Sequence, residues 1–233
     1  MSLPESSAVA CIFWGEKFDT VYLTRLFDAV RRNSPLMPFV CLTDRTPPPE
    51  IGMRDIRFIK TPSSYKGWWQ KLHLFDREIM GFDHLLYFDL DSVILKSLDP
   101  LLDLLGNQDF AYAEDPVDPM SSSLMLIDTR SAFAREVTNA FDPIFLDLEK
   151  GTDQNYFSLF LNPVKHRLKK LPPSTHLSYK HLINHLGCQK NEYAIPELEE
   201  TVSLNFHGWP KPWDVEKTPE FWKHSETILT HWR

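Results

Sequence analysis

Apolar residues fall into short unbroken runs that alternate with stretches of helical spacing. Val9 to Phe13 is one such run, closed by Gly15, the pattern of a strand buried on both faces. Leu23, Leu26, Phe27 and Val30 then recur at i, i+3, i+4 and i+7, which marks one face of a helix, and Pro35 lies beyond its end. Phe39 to Leu42 and Arg57 to Lys60 read as the second and third strands. Trp68, Leu72, Phe75 and Ile79 share one face of the next predicted helix. His84 to Phe88 is an apolar strand that runs directly into Asp89-Leu90-Asp91. Phe110 to Ala113 and Leu124 to Ile127 follow as strands, then a helix carrying Phe133, Val137 and Phe141 and another capped by Thr152. Val202 to Phe206 is a last strand, leading into His207-Gly208.

Strand and helix in alternation predict an α/β fold, a mostly parallel sheet with helices on both faces. Ligands of such sheets bind beyond the carboxyl ends of the strands. Trp14-Gly15, Thr43-Asp44, Asp89 to Asp91 and His207 should therefore converge on one edge. Pro47-Pro48-Pro49 and Pro172-Pro173 are too short to separate domains. One domain over 1–233 is expected, with a first half at about 8–95, a second half at about 96–215 and a tail at 216–233.

Composition narrows the class. A charged fraction of 24% with 42% hydrophobic residues is ordinary for a globular chain. The net charge of −7 argues against a nucleic-acid binder. Three widely spaced cysteines (11, 41 and 188) read as reduced thiols, not as a disulfide frame or a zinc site. The apolar runs are too short to span a membrane, and MSLPESSAVACIFW lacks the features of a leader, so a cytoplasmic protein with at most peripheral membrane contact is expected. The one basic run, residues 165–170, reads as a solvated face rather than a contact for lipid or a phosphorylated acceptor.

The most informative stretch is HLLYFDLDSVIL. Two carboxylates separated by one residue end a buried strand, and in a continuing strand i and i+2 point to the same side. Asp89 and Asp91 can then share a divalent cation, and hard oxygen ligands suit Mn²⁺ or Mg²⁺. Without a cation the two would repel and one pKa would rise.

Here the sequence resembles a family. FDLD after a buried strand is similar to the D-x-D motif of nucleotide-sugar glycosyltransferases with the GT-A fold, of the glycogenin and bacterial lipopolysaccharide galactosyltransferase type. GWWQKLHLF (67–75) resembles the W-x-K-L-x-x-F segment before that motif, SSSLMLID (121–128) the acceptor-side N-S-G-V-M strand, GTDQNYF (151–157) the D-Q segment, and NFHGWPKPW (205–213) the closing H-x-x-G-x-x-K-P-W. The resemblance implies transfer of a hexose from a nucleotide diphosphate sugar, a UDP-sugar, to an acceptor saccharide or glycoconjugate, with retention. It implies a substrate contact around Leu90, sugar contacts from Asp153, Gln154 and Ser121, and charge on the leaving diphosphate met by Lys71 and Lys211. It places the donor base against the first strand edge, where Trp14 can stack and Thr43 or Asp44 can hydrogen-bond. The family's third metal ligand is a histidine. Ungapped alignment of Gly208, Lys211, Pro212 and Trp213 puts Asn205 there, with His207 two residues on; imidazole is the better ligand, which favours His207.

Three rivals share parts of this pattern. A haloacid-dehalogenase-type phosphatase would use Asp89 as nucleophile and Asp91 as general acid, but its motif normally opens the domain, and three predicted strands precede it here. A sugar nucleotidyltransferase would show a glycine-rich loop near its start, where Phe13 to Lys17 holds only Gly15. A sugar-nucleotide binding module would bind without turnover.

Overall fold

The computed structural model describes residues 6–62, 65–115, 119–142, 144, 151–183 and 196–233, so Cys188 lies outside the described residues. Among the described residues ten strands form two sheets: β1 (Ser7–Phe13), β2 (Phe39–Thr43), β3 (Arg57–Lys60), β4 (His84–Phe88), β5 (Ser92–Ile94), β6 (Phe110–Ala113), β7 (Ser121–Asp128), β8 (Leu168–Lys170), β9 (His176–Ser178) and β10 (Ser203–Asn205). The larger sheet has the order β3-β2-β1-β4-β7-β6-β8, and the smaller has β5-β10-β9. β1 to β4 run parallel, and β7 is antiparallel to both its neighbours, β4 and β6. The sheet is thus mostly parallel, as the alternation predicts, with β4 fourth in sequence.

Side-chain alternation divides the core. Val9, Cys11 and Phe13 of β1, with Leu86 and Phe88 of β4, face the helix Thr20–Asn33 through Leu23, Leu26, Phe27 and Val30. Ala8, Ala10 and Ile12, with Leu85 and Tyr87, face the opposite way. That second face holds an aromatic cluster in which Phe75 lies 5.9, 6.1 and 5.0 Å from the rings of Phe110, Phe133 and Phe157. The 216–233 tail is packed, not loose: the helix Ser225–Trp232 buries Trp232, whose ring stacks on Tyr22 at 5.9 Å. Among the described residues no helix is long and apolar enough to cross a membrane.

Two predicted elements differ. The helix expected over Trp68 to Ile79 is a 3-10 helix, Gly67–Phe75, followed by a separate short helix, Arg77–Met80. Asp76 makes the break: its backbone is extended, and its carboxylate accepts from the Glu78 and Ile79 amides at 2.9 and 3.4 Å. The strand ending in Asp89 does not continue through Asp91. The Ser92 amide donates to the Asp89 carbonyl at 3.1 Å, closing a turn, and the chain passes there from the large sheet into the small one.

Phe75 packs the end of the 3-10 helix into the aromatic cluster, alongside Trp69, Leu72 and Leu74 of the same element. Phe75→Ala is expected to lower unfolding stability by about 3–5 kcal/mol, read as a lower urea midpoint with an unchanged slope.

Candidate active site

The turn Asp89-Leu90-Asp91 is the floor of a cleft of about 210 Å³, walled by Ile12, Trp14, Lys17, Phe18, Trp68, Lys71, Tyr87, Ser122, Asp153 and Gln154. The carboxyl ends of β1 and β4 do converge, and the inner surface of the 3-10 helix closes one side. A 3-10 helix has three residues per turn, so Trp68 and Lys71 lie in one line on its surface, where an α-helix would splay them. Trp68 is 49% exposed at the cleft, whereas its neighbour Trp69 is buried in the core.

Lys71 is the electrostatic centre. Its ammonium lies 3.1 Å from Asp89 Oδ1, 3.0 Å from Asp153 Oδ2, 3.1 Å from the Ser122 carbonyl and 3.0 Å from Ser122 Oγ. Burial alone would lower the lysine pKa, but the charges of Asp153 and Asp89 outweigh it and raise it. Ser122 Oγ donates to Asp153 at 2.6 Å, and the Tyr87 hydroxyl donates to Asp89. Burial first, then the Asp89 charge, pushes the Tyr87 pKa well up, so it stays a donor.

Asp91 pairs with a different lysine. The Lys211 ammonium donates to Asp91 Oδ2 and to the Phe206 carbonyl. Lys211 is set at the start of the helix Pro212–Lys217, where its own amide donates to Asp214 at 2.9 Å. Burial raises the Asp91 pKa, opposed by Lys211 and reinforced by Asp89.

Behind the turn a buried imidazole joins the two sheets. Ser203 Oγ donates to the Thr175 carbonyl at 3.0 Å, so His176 Nδ1–H donates to Ser203 Oγ at 2.7 Å. Nε2 then accepts from Ser123 Oγ at 2.9 Å, and Ser123 Oγ from Ser121 Oγ at 2.6 Å. Burial pushes the His176 pKa down to about 3, keeping the ring neutral.

The other expected residues are distributed unevenly. Asp153 and Gln154 both line the cleft, and Gln154 Oε1 accepts from the Ser122 amide at 3.4 Å. Thr152 caps their helix through the Asn155 amide at 3.2 Å. Ser122 rather than Ser121 faces the cleft, because alternation in β7 turns Ser121 and Ser123 toward His176. Leu90 touches the cleft but is buried in the core. Thr43 and Asp44 are not among the cleft residues: Thr43 Oγ1 accepts from the Arg45 amide at 3.0 Å, and both Asp44 oxygens accept from the Gly15 amide at 3.2 Å. They shape the loop behind Trp14. His207 is half-buried beside Ser178, with Nδ1 3.2 Å from Ser178 Oγ, and burial followed by the Lys180 charge lowers its pKa to about 4. Lys17, Phe18, Tyr87 and Ser122 were not singled out by the sequence pattern. The i, i+2 relation of Tyr87 to Asp89 was the readable signal for one of them. The basic run 165–170 is a surface of ion pairs, Lys165–Glu136 at 2.7 Å, Arg167–Asp109 at 2.9 Å and Lys170–Glu114 at 2.8 Å.

No protein-family model matches the sequence, and no curated protein matches it. The likeness lies in three dimensions. The glycosyltransferase GlyE of Streptococcus pneumoniae TIGR4 superposes with a TM-score of 0.69 at 15% identity, over 97% of this chain and 60% of GlyE. The chain therefore spans less than two thirds of the GlyE chain. The galactosyltransferase LgtC, solved with donor and acceptor sugar analogs, gives 0.66 at 16% identity over 96% of this chain and 95% of LgtC. Mouse xyloside xylosyltransferase 1 gives 0.60 at 10% identity, over 86% and 97%. The chain has the GT-A fold.

The GT-A fold raises the question of a divalent cation on Asp89 and Asp91, and the donor set present here does not complete such a site. Among the described residues no three carboxylate, imidazole or thiolate groups are arranged so that they could hold a metal ion together, and Asp153, the third carboxylate of the cleft, is turned to Lys71 and Ser122. His207 is not brought together with the two aspartates but turns to Ser178. Asn205 pairs with Ser92 in the β5–β10 ladder, one residue from Asp91, and an amide is a poor replacement for imidazole. Each aspartate already holds an ammonium group.

Lys71→Met would leave Asp153 buried without its counter-ion, and a loss of about 3–5 kcal/mol in unfolding free energy is expected from denaturant titration. His176 gives a pH signature. Its folded pKa lies below the unfolded value of about 6.5, so the unfolded chain takes up a proton first as pH falls, and stability drops through the window from pH 6.5 toward 3. The stability gap between the wild type and His176→Asn should therefore narrow by about 2 kcal/mol between pH 7 and pH 5.

Proposed function

We propose that this cleft transfers a hexose from a nucleotide diphosphate sugar, a UDP-hexose, to a saccharide or glycoconjugate acceptor. The observation that carries the reading is the pairing of cleft lysines with acidic residues at the turn between the sheets, beside an aromatic wall. Trp14 offers a face for the base. The ammonium groups of Lys211 and Lys17 offset the charge that develops on the departing diphosphate, while Lys71 fixes the carboxylates around it. Asp153 and Gln154, at the start of one helix, meet the sugar. The GT-A fold supports the reading, as does the binding of donor and acceptor sugar analogs by LgtC.

Retention of configuration is taken from the family resemblance, and the state of the cleft carboxylates is compatible with it. The cleft carboxylates Asp89, Asp91 and Asp153 are each held by a lysine, which leaves them poorly placed as nucleophiles. The acceptor hydroxyl would then attack the anomeric carbon on the face the diphosphate leaves. The carbon–phosphate oxygen bond breaks as the carbon–acceptor oxygen bond forms, and the acceptor proton passes to the diphosphate. The phosphatase reading needs Asp89 free for attack, but it is held by Lys71 and Tyr87.

The test is incubation of the protein with UDP-glucose, UDP-galactose and p-nitrophenyl phosphate. Release of UDP from a sugar donor is expected. Turnover of the phosphate monoester alone would establish the phosphatase, and donor binding without release the binding module. Asp153→Asn should lower the rate of UDP release by at least about a hundredfold while the protein stays folded.

A further inference from the structure

The disagreement over the divalent cation points to what replaces it. Lys180 is a half-buried lysine in the short helix Tyr179–Leu182, just after β9. Its ammonium lies over Gly208: a Cβ built on that glycine would sit 2.6 Å from Lys180 Nζ. Gly208 also has φ +65°, a backbone conformation that disfavours side chains. The glycine thus leaves room for the ammonium group. Lys211 lies three residues further on. Lys180 feels it directly, since burial and then the Lys211 charge lower the Lys180 pKa.

Among the described residues Lys180 has no carboxylate partner. Lys211 spends two of its three N–H donors on Asp91 and the Phe206 carbonyl, which leaves one. Two neighbouring cations with unused donors repel each other until an anion joins them. The third ligand that a metal would need is turned away, and the position beside the aspartates is taken by Lys211 itself.

We propose that Lys180, whose ammonium lies over Gly208, and its neighbouring charge Lys211 form a cradle for the donor's diphosphate and take the place of a divalent cation, so that this protein binds and turns over its donor without metal. The inference rests on the glycosyltransferase reading and extends it to the leaving group. Lys211 keeps one hand on Asp91 and offers the other to a phosphate oxygen. Lys180 supplies the second positive charge that a single ammonium lacks relative to a divalent ion.

Calorimetry with UDP and UMP, in chelator and in Mn²⁺, together with UDP release from the donor in both buffers, tests this. UDP affinity and donor turnover should agree within about threefold between the two buffers. Lys180→Met should weaken UDP by about tenfold or more and UMP far less, because UMP lacks the second phosphate. Lys180→Arg should restore most of the discrimination, which a merely structural lysine would not show. If chelator abolishes UDP binding and turnover and Mn²⁺ restores both, the cradle is overturned and the transferase reading stands. If UDP binds in neither buffer, both fall. If Lys180→Met leaves the ratio of UDP to UMP affinity unchanged, Lys180 has no part in holding the diphosphate.

Discussion

The ammonium group of Lys71 is buried, and the centre of the molecule is arranged around the need to neutralise it. An unpaired charge inside a protein costs several kcal/mol even after relaxation. Two carboxylates, a serine hydroxyl and a backbone carbonyl meet that need. They come from the end of β4, the first turn of the helix Asp153–Ser158 and the start of β7, so satisfying one side chain fixes the relative positions of three elements. The 3-10 geometry of Gly67–Phe75 belongs to the same constraint. It aligns Lys71 with Trp68 on the cleft side and leaves Phe75 to lock the helix end into the aromatic core.

Much of this was legible in the chain itself, and the parts that were not have physical reasons. The runs at Val9, Phe39 and His84 became parallel strands because their alternation satisfies two cores at once. Pairs of residues such as Asp89 and Asp91 were readable as neighbours, although by a different geometry: a turn brings them to one cleft where a continuing strand was expected. The small strands β5, β8 and β9 were not readable. Each is three residues long, and each owes its conformation to pairing with a distant segment rather than to its own pattern. Asp76 ended the helix through a side-chain cap that spacing of apolar residues does not report. Lys71 was readable as a cleft cation from its motif, but its partnership with Asp153 is a contact between remote segments that only the fold supplies.

The turn at Asp89 to Asp91 is also the joint between the sheets, and its rigidity comes from behind. Ser123, His176 and Ser203 lie on β7, β9 and β10, and the neutral imidazole bridges the first sheet to the second with one donor and one acceptor used in full. A charged ring could not accept from Ser123, so the depressed pKa and the bridge require each other. The serine triplet of β7 thus has two faces and two duties. Ser121 and Ser123 serve the joint, while Ser122 serves Lys71 and Asp153.

Charge balance connects this scaffold to chemistry. The cleft presents Asp89, Asp91 and Asp153 against Lys17 and Lys71, and Lys211 on Asp91 brings the sum to zero. A neutral cleft would have little attraction for a diphosphate. Lys180, beside Gly208, is not among the residues lining the cleft, and the proposed cradle adds its positive charge on the side where Lys211 retains an unused donor. The lysines that neutralise the aspartates are fixed to the chain, so the carboxylates are oriented before any ligand arrives and need no free ion to be assembled. A lysine carries one charge where a divalent ion carries two. A site built this way therefore needs more than one lysine facing the leaving group, and the glycine at 208 is what lets the second one approach.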